Sequence, residues 1–177
     1  MGFEIIGYQE HGNAGFTVAS AGDVNGDGLD DILVSAPNLD PGAERVLGEL
    51  VGGINNAGES YVVFGKSDAV NVDLSNLEGS GNGFAIRGYE VDTQTSISIS
   101  GAGDINNDGY SDIIVGSRLL GDTEYGKSFV VFGKANNTDV ELSDLANGDD
   151  GYEVTTHGSA HNVSGGGDFN GEGLADL

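Results

Sequence analysis

The sequence repeats itself, and this repeat limits the possible folds more than any other feature of the chain. The stretch AGDVNGDGLDDILV at residues 21–34 returns as AGDINNDGYSDIIV at 102–115. The stretch YVVFGK at 61–66 returns as FVVFGK at 129–134. A third copy ends in GGGDFNGEGLADL at 165–177. The sequence therefore predicts an array of similar structural units that pack against their neighbours.

Each repeat is predicted to hold four short β-strands. In the first repeat they lie near 16–22, 31–36, 60–65 and 84–90, with turns rich in Gly, Asn and Asp between them. The runs DDILVSA, SDIIVGS and SYVVFG are continuous and rich in β-branched residues, which is typical of strands buried on both faces. A helical turn is predicted only over 43–51. Four strands per repeat are typical of a propeller blade.

Composition excludes several classes of function. Six Lys and Arg against 29 Asp and Glu give a formal charge of −23, so neither nucleic acid nor an anionic membrane is an expected partner. No apolar run approaches the ~18 residues of a membrane span, so membrane insertion is not expected. Without cysteine, the chain can form neither disulfides nor thiolate metal sites. No nucleophile elbow, phosphate loop or His-Glu-x-x-His motif occurs, and we predict that the chain is not an enzyme.

Each repeat carries one acidic loop of nine residues. Positions 1, 3 and 5 have short oxygen-bearing side chains, and position 9 has a carboxylate. Position 6 is Gly, which permits a sharp turn around a hard cation, and position 7 can offer its backbone carbonyl. The candidate metal ligands are Asp23, Asn25, Asp27, Leu29 and Asp31 in the first loop, Asp104, Asn106, Asp108, Tyr110 and Asp112 in the second, and Asp168, Asn170, Glu172, Leu174 and Asp176 in the third.

Calcium is the cation that this donor set favours. Ca²⁺ takes six to eight oxygen ligands, whereas Mg²⁺ requires a tighter octahedron. Soft metals are disfavoured because the loops contain neither Cys nor His. Two carboxylates ~5 Å apart repel by about 3 kcal/mol at an effective dielectric constant of ~20, and a cation removes that cost. We predict two calcium sites; a third is left open, because the longer side chain of Glu172 shifts its carboxylate.

EF-hands and Asx-rich turns both share part of this loop pattern. An EF-hand would need Glu at position 12, where this chain has Val34 or Val115 inside a predicted strand. Asx-rich turns use the same residue types for local hydrogen bonds and bind no metal, so they remain an alternative to calcium sites. Asp30 lies one residue out of register with the ligand pattern and is expected to face solvent.

The repeat resembles the FG-GAP repeat of integrin α-subunits and of many bacterial surface proteins. Ala14-Gly15-Phe16-Thr17-Val18 stands where the family has its Phe-Gly, and Ser35-Ala36-Pro37 matches its Gly-Ala-Pro. The second repeat departs at both places, with Ser96-Ile97 and Gly116-Ser117-Arg118. The resemblance implies a seven-bladed propeller in which the calcium loop joins the innermost strand of a blade to its second strand.

These observations together predict an all-β fold, a partial β-propeller with about two and a half four-stranded blades of a seven-bladed type. The expected division is an orphan outer strand at 1–10, blade 1 at 11–90, blade 2 at 91–158 and the start of blade 3 at 159–177. The chain is expected to be a fragment of a longer propeller, or to self-associate through exposed blade faces.

The expected function is a calcium-binding extracellular or cell-surface adhesion module that binds a protein or glycan partner. The partner is expected on the face opposite the calcium loops, where the long segment 38–58 lies. The alternatives are a non-catalytic propeller domain of a larger secreted enzyme and a structural subunit of a surface filament.

Overall fold

The computed structural model describes residues 2–46, 49–118, 125–157 and 162–176. Over these residues the chain is β-structure, with two short 3₁₀ helices at Leu74–Asn76 and Leu142–Asn147. The strands in chain order are β1 (Ile5–Ile6), β2 (Val18–Gly22), β3 (Asp31–Ala36), β4 (Ala43–Val46), β5 (Glu49–Gly52), β6 (Glu59–Val63), β7 (Val72–Asp73), β8 (Gly83–Arg87), β9 (Ser98–Gly103), β10 (Asp112–Gly116), β11 (Tyr125–Val131), β12 (Val140–Glu141) and β13 (Gly151–His157).

Two sheets, each with four antiparallel strands, form the body of the molecule, and the parallel strand β12 extends the first sheet beyond β8. The first sheet has the order β2-β3-β6-β8, and the second has the order β9-β10-β11-β13. The strands of the first sheet overlap all four predicted ranges. The predicted all-β fold is confirmed, and its sheets are consistent with a partial β-propeller. The number of blades and the boundaries between them stay predictions.

The helical turn predicted over 43–51 is wrong, because this segment contributes a β-hairpin. Strands β4 and β5 pair antiparallel, with Ala43 opposite Gly52. Nine residues are too few for a stable isolated helix, since nucleating the first turn is costly. Gly52 and Gly53 both have positive φ, +78° and +81°, which a helix does not accommodate. In the hairpin, backbone N–H and C=O groups of the segment pair between β4 and β5 instead.

Short parallel pairs connect each repeat to the one before it. Strand β1 pairs with β7, with Ile5 opposite Val72, and β8 pairs with β12, with Ile86 opposite Val140. Ile86 follows Ile5 by 81 residues and Val140 follows Val72 by 68, which are the offsets of the sequence repeat, so the two pairs are equivalent. This supports the expectation, still a prediction, that residues 1–10 contain an outermost strand.

The main core lies between the two sheets. Strands β6 and β10 are buried along their whole length, as their continuous apolar runs predicted. Phe84 and Ile86 from the first sheet join Ile113 and Phe129 from the second in this cluster. A second cluster on the other face of the first sheet includes Tyr61, and Ile5 of β1 packs against this cluster. The loops at the ends of the first sheet therefore extend from strands that are packed on both faces.

Candidate metal-binding loops

The three acidic loops occupy equivalent places in the fold. The first joins β2 to β3 and the second joins β9 to β10, so each connects two paired strands as predicted. The third is flanked by an isolated bridge between Gly167 and Asp176. The corresponding pairs are Gly22 with Asp31 and Gly103 with Asp112. Each of the three loops is therefore closed by an equivalent pair of residues.

In the first loop the side chains at positions 1, 3 and 5 fold back on the turn. Asp23 Oδ1 accepts hydrogen bonds from the backbone N–H groups of Gly26 and Asp27, at 2.7 and 3.0 Å. Asp23 Oδ2 accepts from the Gly28 N–H at 2.9 Å. Asn25 Oδ1 accepts from the Asp27 N–H at 2.9 Å. These are the bonds of an Asx-rich turn.

The second and third loops repeat this arrangement. Asp104 Oδ2 accepts from the Gly109 N–H at 3.0 Å, and Asp168 Oδ2 accepts from the Gly173 N–H at 2.8 Å. Gly109 and Gly173 have φ of +93° and +94°, close to the +87° of Gly28. A side chain at this position would be strained, which explains the Gly at position 6. Glu172 does not disturb the turn, since its N–H still binds Asp168 Oδ1 at 3.2 Å.

Position 9 anchors the first two loops to their sheets. Asp31 is 1% exposed, and its carboxylate accepts from the N–H groups of Val24 and Gly65, at 2.9 and 2.8 Å. Asp112 is 0% exposed and accepts from Ile105 and Gly133 in the same way. Each carboxylate therefore ties its loop to the chain just after the third strand of the sheet. Asp30 is exposed, as expected.

The anchoring by Gly65 and Gly133 was not predicted. The sequence offered a signal, because both glycines follow the repeated VVF run at the end of a strand. A Cβ on either glycine would lie 2.5–2.6 Å from a backbone carbonyl oxygen of the acidic loop. The close approach of these glycines to the loop is therefore part of the site.

The carboxylates of the first two loops act on one another electrostatically. Burial raises the pKa of Asp31, and the neighbouring charges of Asp27 and Asp23 raise it further. The pKa of Asp112 is raised by the same causes, with Asp108 and Asp104 as its neighbours. A cation held among these groups would relieve their repulsion.

Among the described residues, no three His, Cys, Asp or Glu side chains lie together in a group ready to hold a metal ion. The donor chemistry of the loops fits a hard cation nonetheless. In each loop the candidate ligand atoms at positions 1, 3 and 5 are oxygens, from two carboxylates and an amide. The carbonyls of Leu29, Tyr110 and Leu174 at position 7 are further candidates. Binding would require some of these oxygens to exchange a backbone N–H for the ion.

A second group of polar residues lies at the opposite end of the sheets. Here the Asn56 N–H donates to Asp40 Oδ1 at 2.6 Å, and Asn56 Nδ2 donates to Asp92 Oδ1 at 2.8 Å. Asn56, Asp92 and Gln94 all have positive φ. The bonds fix the segment between β3 and β6 against the turn that leads into the second sheet. This end therefore presents polar loops that are linked by side-chain hydrogen bonds.

Comparison with known proteins relates these features to a family. The FG-GAP repeat family matches residues 14–63 and 97–131, and each stretch contains one complete acidic loop. Integrin alpha-8 of Gallus gallus is 35% identical over 134 residues, which are 76% of this chain and 11% of that protein. Integrin alpha-5 of Xenopus laevis is 27% identical over 175 residues, which are 99% of this chain and 15% of that protein. The chain thus spans a small part of these relatives. The described residues include no helix that is long and apolar enough to cross a membrane.

Proposed function

Because the chain belongs to the integrin-like FG-GAP repeat proteins, we propose that it is a calcium-binding module of an extracellular or cell-surface adhesion protein. The observation that carries the proposal is the acidic loop itself, which recurs with the same hydrogen bonds at the same strand junction. The match to FG-GAP repeats and integrin α-subunits agrees with the prediction that the chain is not an enzyme. Its role is then that of a scaffold that presents binding surfaces to a partner. Bound calcium makes one end of the sheets more rigid.

Calcium binding can be tested residue by residue in the first loop. We expect dissociation constants in the extracellular range of about 10⁻⁴ to 10⁻³ M, measured by calorimetry at low salt. Asp31→Asn should weaken calcium binding at the first loop at least tenfold, because it removes a full negative charge from the buried side chain that anchors the loop. Asp30→Asn is the matched control, since it removes the same charge from the exposed neighbour. Equal effects of the two variants would show that the ligand register is wrong.

The partner is proposed to be a protein or a glycan that binds at the end opposite the calcium loops. Antiparallel connections alternate between the two ends of a sheet, so segment 38–58 lies at the end away from the loops. The segment includes the strands β4 and β5 and the turn around Asn56, whose side chain bonds Asp92. An array of glycans and matrix proteins would identify the partner. Replacing 42–54 by a short Gly-Ser linker should then abolish binding, whereas Asp149→Asn at the other end should not; retained binding would refute the assignment.

Self-association through exposed sheet faces is a second candidate property. Val18 is 61% exposed, whereas its repeat equivalent Ile99 is 3% exposed because the first sheet covers it. Phe16 is also exposed, at 58%. An apolar face of this kind favours contact with another blade of the same repeat. Sedimentation at increasing protein concentration tests this, with Val18→Asp as the variant that should dissociate any oligomer.

A further inference from the structure

The first two acidic loops are bonded to each other through their backbones. The Ser111 N–H donates to the Asp23 carbonyl at 2.9 Å. Beside this bond, the N–H of Lys134, which follows β11 and lies outside the second loop, donates to the Val24 carbonyl at 2.9 Å. The ring of Tyr110 also packs against the first loop, since a Cβ on Gly26 would lie 2.7 Å from it. The loops therefore form one continuous contact across the junction between the sheets.

The same bond occurs again at the next junction. The Ala175 N–H of the third loop donates to the Asp104 carbonyl of the second loop, at 3.3 Å. Asp104 and Ala175 are the repeat equivalents of Asp23 and Ser111. Position 1 of one loop thus accepts from position 8 of the following loop at both junctions. In the first loop the corresponding donor is Asp30, whose N–H has no acceptor among the described residues.

This bond acts on a candidate ligand, because a peptide group carries its N–H and C=O together. The N–H of Ser111 and the carbonyl of Tyr110 belong to one planar unit. That carbonyl is the candidate position-7 ligand of the second loop. The bond to Asp23 fixes the orientation of the unit, and donation by the N–H polarises the carbonyl oxygen toward greater negative charge. Asp23 is itself the candidate position-1 ligand of the first loop.

We infer that the first two loops bind calcium with positive coupling, transmitted by the hydrogen bond from the Ser111 N–H to the Asp23 carbonyl. The inference rests on the proposed calcium binding. An ion in the first loop holds Asp23, and Asp23 then holds the peptide group that presents the Tyr110 carbonyl. Because the first ion has already ordered part of the second loop, binding of the second ion costs less conformational entropy. By linkage, the second ion strengthens binding at the first loop by the same factor.

Electrostatic effects between the sites can be separated from this coupling by salt. Two bound cations repel each other, and removing an acidic side chain from one loop weakens cation binding at the other. Both effects are screened at 0.5 M KCl, where the Debye length is roughly 4 Å. A coupling through a hydrogen bond and shared ordering persists at that ionic strength.

Tyr110 provides an optical reporter for cations bound in the second loop. Tyr110 lies at position 7 of this loop, where the other two loops have Leu29 and Leu174, and the chain has no Trp. Tyrosine excites bound Tb³⁺ only at close range, and Tb³⁺ replaces Ca²⁺ in oxygen-ligand sites. Tyr110→Phe should remove the signal and so establish its origin. Because the Tyr110 ring also packs against the first loop, Asp108→Ala, whose second loop lacks a ligand, measures the part of the signal that comes from the first loop. Competition of Ca²⁺ against Tb³⁺ for the remaining signal then gives the calcium affinity of the second loop.

The test is the affinity of the second loop when the first cannot bind. Asp27→Ala removes a ligand from the first loop but leaves the backbone of Asp23 in place. We expect it to weaken calcium binding at the second loop at least fivefold in 0.5 M KCl, the lower end of typical couplings. Asn25→Ala, a milder second variant, should act in the same direction, and circular dichroism checks that both variants are folded. Asp30→Asn, which removes a charge but no ligand, should change the affinity less than twofold.

The outcomes distinguish the coupling from calcium binding itself. If the second loop keeps its affinity in both ligand variants at high salt, the coupling is refuted and the calcium proposal stands. If the unaltered protein binds neither Tb³⁺ nor Ca²⁺, both are refuted. Asp108→Ala provides the reciprocal measurement by calorimetry at the first loop, and a factor different from that of Asp27→Ala would also contradict the linkage.

Discussion

At the scale of single residues, the first two repeats differ at one position where the backbone is strained. Ser96 has a φ of +78° and is buried, and its hydroxyl group bonds that of Ser60. Its equivalent in the first repeat is Gly15, with a φ of +88°. The backbone of both repeats thus needs the left-handed region at this point, and only the first repeat has the residue that adopts it without cost. The hydrogen bond to Ser60 offsets part of the strain in the second repeat.

Two substitutions at Ser96 measure this strain. Ser96→Gly and Ser96→Ala both lose the bond to Ser60, but only Ala keeps a Cβ at positive φ. We expect the free energy of unfolding in urea to be higher for the Gly variant by about 1 kcal/mol, the cost of a left-handed residue. An Ala variant as stable as the Gly variant would show that the position is not strained.

At the scale of elements, the sequence predicted the features that repeat and missed those set by contacts between distant segments. The strands from Asp31 and Asp112 were predictable because runs buried on both faces are continuous and apolar. The hairpin of β4 and β5 was not, since its nine-residue segment has no clear periodicity and its pairing depends on a turn. The two-residue strands β7 and β12 were missed because each exists only through pairing with a strand of the preceding repeat. The side-chain bonds within the acidic loops were foreseen as the Asx-turn alternative, but the bonds between loops had no sequence signature.

The pairing of β8 with β12 is reinforced by one buried carboxylate, which gives a prediction at this scale. Asp139 accepts from the Ala85 N–H at 2.8 Å and forms an ion pair with Arg87. Asp139→Ala should lower the free energy of unfolding by about 1–3 kcal/mol, because it leaves a buried N–H without its acceptor. Glu141→Ala is the control, since Glu141 contacts the same Arg87 at 3.0 Å but is 46% exposed. Its loss should cost under about 1 kcal/mol; equal losses in urea unfolding would contradict the role of Asp139.

At the scale of the whole molecule, charge dominates. A formal charge of −23 on 177 residues disfavours the compact state through self-repulsion. Part of that charge is concentrated in loops that touch across the sheet junction, as the bond between Ser111 and Asp23 shows. Screening by any salt should therefore raise the melting temperature of the metal-free protein. A specific calcium effect must exceed this general one.

Calcium should stabilise the fold beyond what ionic strength explains. With a dissociation constant of 10⁻⁴ to 10⁻³ M, 10 mM calcium contributes about 1.4 to 2.7 kcal/mol for each site that the unfolded chain lacks. For a chain of this length each kcal/mol raises the melting temperature by roughly 2–4 °C, so two sites should produce a rise of several degrees. The comparison is thermal unfolding in CaCl₂ and in KCl plus EDTA at equal ionic strength. Asp31→Asn and Asp112→Asn should each remove about half of the difference. Equal midpoints in the two salts would show that the loops are ordinary turns and that the acidic surface responds only to screening.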